Sequence, residues 1–60
     1  MLEYTVHLKN GIAYVYAEGY VVSDNQYQFY REHAVVRRFP VENVLSVQQS
    51  AHFDLNGSKI

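Results

Sequence analysis

The side chains in this chain able to carry acid, base, nucleophilic or metal chemistry are three histidines, six carboxylates and four serines. None stands at a spacing that such chemistry needs. A shared metal requires ligands at short spacing, but His7, His33 and His52 fall on a strand, in a turn and in a tail. Ser23, Ser46, Ser50 and Ser58 sit in no nucleophile elbow, no glycine-rich loop precedes a helix, and cysteine is absent. Glu3, Glu18, Asp24, Glu32, Glu42 and Asp54 are scattered, and 60 residues leave little room for a pocket deep enough to desolvate one of them. The expectation is a protein that is not an enzyme and takes no cofactor or metal.

The chain is instead rich in rings: six tyrosines and three phenylalanines, with no tryptophan. A tyrosine joins an apolar body to a hydroxyl that wants a partner when buried, so exposed tyrosines suit interfaces. Tyrosine and arginine are also what interface cores favour. The same rings beside cations could stack bases and neutralise phosphates, and for that alternative the candidate contacts are Lys9, Tyr30, Arg31, Arg37 and Arg38. Against it, Arg37 and Arg38 are strand neighbours and point to opposite faces, and a net charge of -1 supplies no attracting field.

Which tyrosines are exposed depends on the first hairpin. Leu2 to Lys9 alternates without a fault, as a half-buried strand does. Asn10-Gly11 between two apolar runs predicts a two-residue type I′ turn, because both residues tolerate positive φ. That turn sets Lys9 opposite Ile12, Leu8 opposite Ala13, Val6 opposite Val15 and Tyr4 opposite Ala17. One face becomes a core of Leu2, Tyr4, Val6 and Leu8 over Ala13, Val15 and Ala17. The other gathers His7, Ile12, Tyr14 and Tyr16, which form the candidate interface. On this face His7 would lie beside Tyr14 and make association sensitive to pH.

Glu18-Gly19 interrupts the second run and predicts a bulge or bend that turns Tyr20 and Val22 inward. Such a bend lets one strand pair with strand one through its first half and with strand three through its second. Polar Ser23-Asp24-Asn25-Gln26 makes the next turn, Tyr27 to Arg31 a third strand, Glu32-His33 a tight turn and Ala34 to Phe39 a fourth strand. Pro40, which lacks an N–H, stops that ladder. Phe39 to Asn43 reads as a single 3₁₀ turn, and Val44 to Gln48 as strand five. Residues 1–50 form one domain and residues 51–60 a tail in which Phe53 and Leu55 could add a short strand. The expected fold is all-β with little or no helix: a five-stranded antiparallel small barrel or a strongly bent meander, of SH3 or Sm-like type.

These features resemble the Sm-like barrel family, bacterial Hfq included. The likeness lies in a first hairpin of the form Val6-x-Leu8-x-Asn10-Gly11, a bent second strand holding Gly19, and a 3₁₀-like turn before the last strand. It implies a single-stranded RNA-binding barrel, although Phe39-Pro40-Val41-Glu42 stands where Hfq carries its uridine-binding lysine and histidine. The stretch from Tyr27 through Val36 and Phe39-Pro40 to Asn43-Val44-x-Ser46-Val47 also resembles small uncharacterised bacterial and phage β-proteins. A core this small supplies only ~3 to 5 kcal/mol and usually needs a supplement. Without cysteine that supplement is expected to be self-association, so the chain is read as a homo-oligomer or a binder of a protein partner. No apolar run nears the ~20 residues that span a bilayer, and Met1-Leu2-Glu3-Tyr4 lacks the start of a signal peptide. A cytoplasmic protein with no membrane contact is expected.

Overall fold

The computed structural model describes the backbone of residues 1–52 and the side chains of residues 1–49. The alternating segments form antiparallel strands in the order β1 (Leu2–Leu8), β2 (Gly11–Ala17), β3 (Gly19–Ser23), β4 (Gln26–Arg31) and β5 (Ala34–Pro40). A 3₁₀ turn, Val41–Asn43, then leads into β6 (Val44–His52). There is no α-helix among the described residues. The strands make two three-stranded sheets, the first ordered β2-β1-β6 and the second β3-β4-β5.

Two expectations need correction. Among the described residues no ladder joins the two sheets into a closed barrel, and the strands number six, because the bend at Glu18 divides the second strand between the sheets. Its first half, β2, pairs with β1, and its second half, β3, pairs with β4. The hairpin register is also displaced by two residues: Leu8 faces Gly11, Val6 faces Ala13, Tyr4 faces Val15 and Leu2 faces Ala17. Lys9 and Asn10 thus form the tip, and neither has positive φ. Gly11 at φ 152° opens β2 instead of sitting in the turn. A shift of two preserves parity, so every side chain keeps its expected face.

β6 extends to His52, beyond the expected end of that strand at Gln48. Phe53 and Leu55 lie outside the described residues. The other two hairpins close on true left-handed pairs, Asp24 and Asn25 at φ 56° and 61°, and Glu32 and His33 at φ 52° and 68°. Asp, Asn and His are enriched in that region; Glu is not.

The core lies between the sheets. Tyr4, Val6, Val15 and Ala17 come from the first sheet, and Phe29 and Phe39 from the second. Tyr4 meets Tyr20 edge-on at 5.5 Å and Phe29 at 5.3 Å, and Phe29 meets Tyr20 at 5.1 Å and Phe39 at 5.9 Å. The 3₁₀ turn is tied to both sheets, since Val41 N–H donates to Asn25 O at 2.9 Å and Lys9 N–H donates to Asn43 O at 3.0 Å.

Candidate functional site

The outer face of the first sheet is built by alternation. With Tyr4, Val6, Val15 and Ala17 committed to the core, the intervening residues of β1 and β2 must point the other way. His7 pairs with Ile12, Thr5 with Tyr14 and Glu3 with Tyr16. All four candidate interface residues, His7, Ile12, Tyr14 and Tyr16, therefore share this face. His7 lies opposite Ile12, not opposite Tyr14 where the expected register places it. Ile12 is 54% exposed, Tyr14 62% and Tyr16 57%, and the three occupy successive outward positions of one edge strand. Leu45, the extra residue of a bulge opposite His7 and Leu8, is a further exposed apolar side chain in this sheet. Simple alternation through Val44 to Gln48 gives no sign of that exposure.

The outer face of the second sheet has a different character. Gln28 Nε2 donates to Ser23 O at 3.2 Å and to Gln26 Oε1 at 3.5 Å. Arg38 pairs with Gln28 on the same face. Tyr30 lies opposite Gly19, and a Cβ added at Gly19 would come within 2.6 Å of the Tyr30 hydroxyl. Gly19 does not adopt positive φ. The bend therefore holds a glycine because a ring covers it, not because the backbone needs a left-handed residue.

The inward turn after the bend is present, but it is only half covered. Tyr20 packs its ring on Tyr4 and Phe29 and is 38% exposed, whereas Val22, on the same side of β3, is 57% exposed. Tyr27 joins this group at 5.8 Å from Tyr20.

The candidate nucleic-acid contacts are not brought together. Arg37 lies over the Phe39 ring at 4.9 Å, on the face of Phe29, while its neighbour Arg38 lies on the opposite face. Arg31 closes the β4–β5 hairpin and reaches Met1 Sδ at 3.9 Å. Lys9 sits at the tip of the first hairpin beside the 3₁₀ turn, at the opposite end of the strands. Tyr30 covers Gly19.

The remaining chemistry is sparse. Among the described residues no group of three histidine or carboxylate side chains stands close enough to share a metal ion. A shallow cavity of about 310 Å³ is lined by Asn25, Pro40, Val41 and Glu42, beside the Asn25–Val41 hydrogen bond. Burial pushes the Tyr4 phenol above its ordinary value, with the nearby Tyr20 and Tyr30 hydroxyls adding to the effect. No described helix is long and apolar enough to cross a membrane. Compared with protein-family models, curated proteins and solved structures, the chain matches none.

Proposed function

We propose that this protein is a non-enzymatic interaction module that associates with copies of itself through the edge and the outer face of its first sheet. The observation that carries this reading is the row Ile12, Tyr14 and Tyr16, each more than half exposed, on a sheet whose opposite face is core. A solvated sheet face is normally polar, and contiguous exposed apolar patches mark contact surfaces. The strand order also supports an SH3-like reading of the fold: two three-stranded sheets share a divided strand, and a 3₁₀ turn precedes the last strand.

A single-stranded nucleic-acid surface of Sm-like type fits less well. Its cations lie on two faces and at both ends of the strands, where no continuous track for a phosphate backbone forms.

Sedimentation tests the first reading. The expected mass is a multiple of 7.0 kDa, and the double variant Tyr14→Ser/Tyr16→Ser should lower it while retaining a β-type circular dichroism spectrum. A monomer that instead retards oligo-U in a salt-dependent way would overturn the proposal in favour of the nucleic-acid reading.

A further inference from the structure

The exposed row of β2 also carries the strand's free backbone. A two-residue hairpin closes on a pair that exchanges both hydrogen bonds, here Leu8 with Gly11. Hydrogen bonding to β1 then falls to Gly11, Ala13, Val15 and Ala17. The N–H and C=O groups of Ile12, Tyr14 and Tyr16 point away from β1, toward the edge. Glu18, next in that series, follows the rule: its N–H turns away from β1 and donates to Tyr30 O at 2.9 Å. Among the described strands nothing pairs with β2 on that side.

The other edges are guarded or short. β5 carries Arg37, Arg38 and Pro40 and is broken by a bulge where Phe29 gives way to Tyr30 on its partner. β6 has irregular register at two places. β3 offers two outward-bonding residues, Tyr20 and Val22, whose side chains lie on the inner face. β2, with sequence Gly-Ile-Ala-Tyr-Val-Tyr-Ala, has no charge, no proline and no bulge, which are the usual devices against edge pairing.

Area points the same way. Three large side chains exposed to this degree offer on the order of 300 to 400 Å², about half of the ~800 Å² that each partner contributes to a stable interface. Face-to-face contact through these side chains alone therefore falls short, whereas edge pairing adds backbone hydrogen bonds to cross-strand contacts between them.

We propose that two copies of this chain join edge to edge through β2, antiparallel, with Tyr14 on the two-fold axis. This rests on the self-association reading above and specifies its geometry. The register is the one that pairs all seven residues of β2 without overhang: Tyr14 faces Tyr14 of the second copy, Ile12 faces Tyr16, Ala13 faces Val15 and Gly11 faces Ala17. About six backbone hydrogen bonds form, as the outward N–H and C=O groups exchange in three directly opposed pairs. The outcome is a six-stranded sheet that is apolar on both faces along the seam.

Because the chain has no cysteine, a single introduced one reports the geometry. Opposed residues in a hydrogen-bonded pair stand about 5.5 Å apart at Cα, within disulfide range. Tyr14→Cys under mild oxidation should therefore form a covalent dimer, while Ile12→Cys, about 14 Å from its own copy in this register, should not. Stacking through the sheet faces instead would separate the backbones by about 10 Å and favour neither. Amide exchange on the unaltered chain is the second measurement. Ile12, Tyr14 and Tyr16 should become protected as concentration rises, and Tyr20 and Val22 on the β3 edge should not. A dimer that shows neither the Tyr14→Cys preference nor this protection overturns edge pairing and leaves self-association standing. A monomer at every concentration overturns both.

Discussion

The first sheet packs aliphatic and alanine side chains around Tyr4 and leaves Tyr14 and Tyr16 on its outside, whereas the second turns Tyr20, Phe29 and Phe39 inward and mixes Gln26, Gln28 and Arg38 with Val21 and Tyr30 on its outside. Both contribute an apolar inner face to the same core. The second has side-chain hydrogen bonds running across its outer face. The difference is informative because both sheets come from one continuous alternating chain. Parity is reset at Glu18, so the even-numbered rings of β2, Tyr14 and Tyr16, face outward and Tyr20 after the bend faces inward. One divided strand thus makes one side of the molecule a core element and the other an apolar surface.

The contrast can be broken most sharply at Phe29, which is fully buried and touches three other rings. Phe29→Ala should cost about 3 to 5 kcal/mol, comparable with the whole stability of so small a core, and urea titration should find the chain unfolded without denaturant. Val15→Ala, the corresponding change in the first sheet, removes two methyl groups at about 0.8 kcal/mol each and should leave a folded protein with a lower midpoint. Equal losses would show that the rings of the second sheet have no special weight.

A smaller effect is expected where the sheets join. Gly19→Val should destabilise by about 1 to 3 kcal/mol by crowding the Tyr30 ring, and most of that loss should disappear in a Tyr30→Ala background. A loss unchanged by Tyr30→Ala would return the cause to the backbone.

The turns of the second sheet give a gain. Glu32 and His33 hold the same left-handed conformation as Asp24 and Asn25, but with a glutamate at the first position and no Asn-Gly pair. Glu32→Asn with His33→Gly should stabilise by about 1 to 2 kcal/mol, read as a raised thermal midpoint.

The smallest effect concerns Tyr4, where rings of both sheets meet. Its phenol is held above the ordinary value of 10.0 in the folded chain. The folded state therefore keeps a proton that the unfolded state has released, and stability should hold up to about pH 10 and decline above it. Tyr4→Phe should flatten that decline.

Much of this architecture is legible in the sequence, and the failures have identifiable causes. Period-two alternation assigns Tyr4, Val6, Val15 and Ala17 to the core and Ile12, Tyr14 and Tyr16 to the outside. It does so despite a misplaced turn, because an error of two residues cannot change a face. Asn10-Gly11 misleads because Gly11 is used to open a strand, a role that a dipeptide preference does not distinguish from a turn. Gly19 is recognisable as special, but the ring that fills its space lies eleven residues on and is visible only once β3 and β4 are paired. Bulges in β5 and β6 are invisible to alternation, which is why the exposure of Leu45 and the inward placement of both Val44 and Val47 go unsignalled. The candidate interface was assembled from spacing alone; the dispersal of the cations needed the strand order.

The pairing of β1 with β6 has a consequence for how the molecule comes into being. Leu2 partners His52 and Val6 partners Val47, so a central strand of the first sheet waits on residues made some forty positions later. The three hairpins can close locally in microseconds, but this ladder requires a long loop to be drawn shut first. During synthesis the β1–β2 hairpin therefore leaves the ribosome with one side of β1 open. The first sheet is completed only when β6 emerges and pairs with β1.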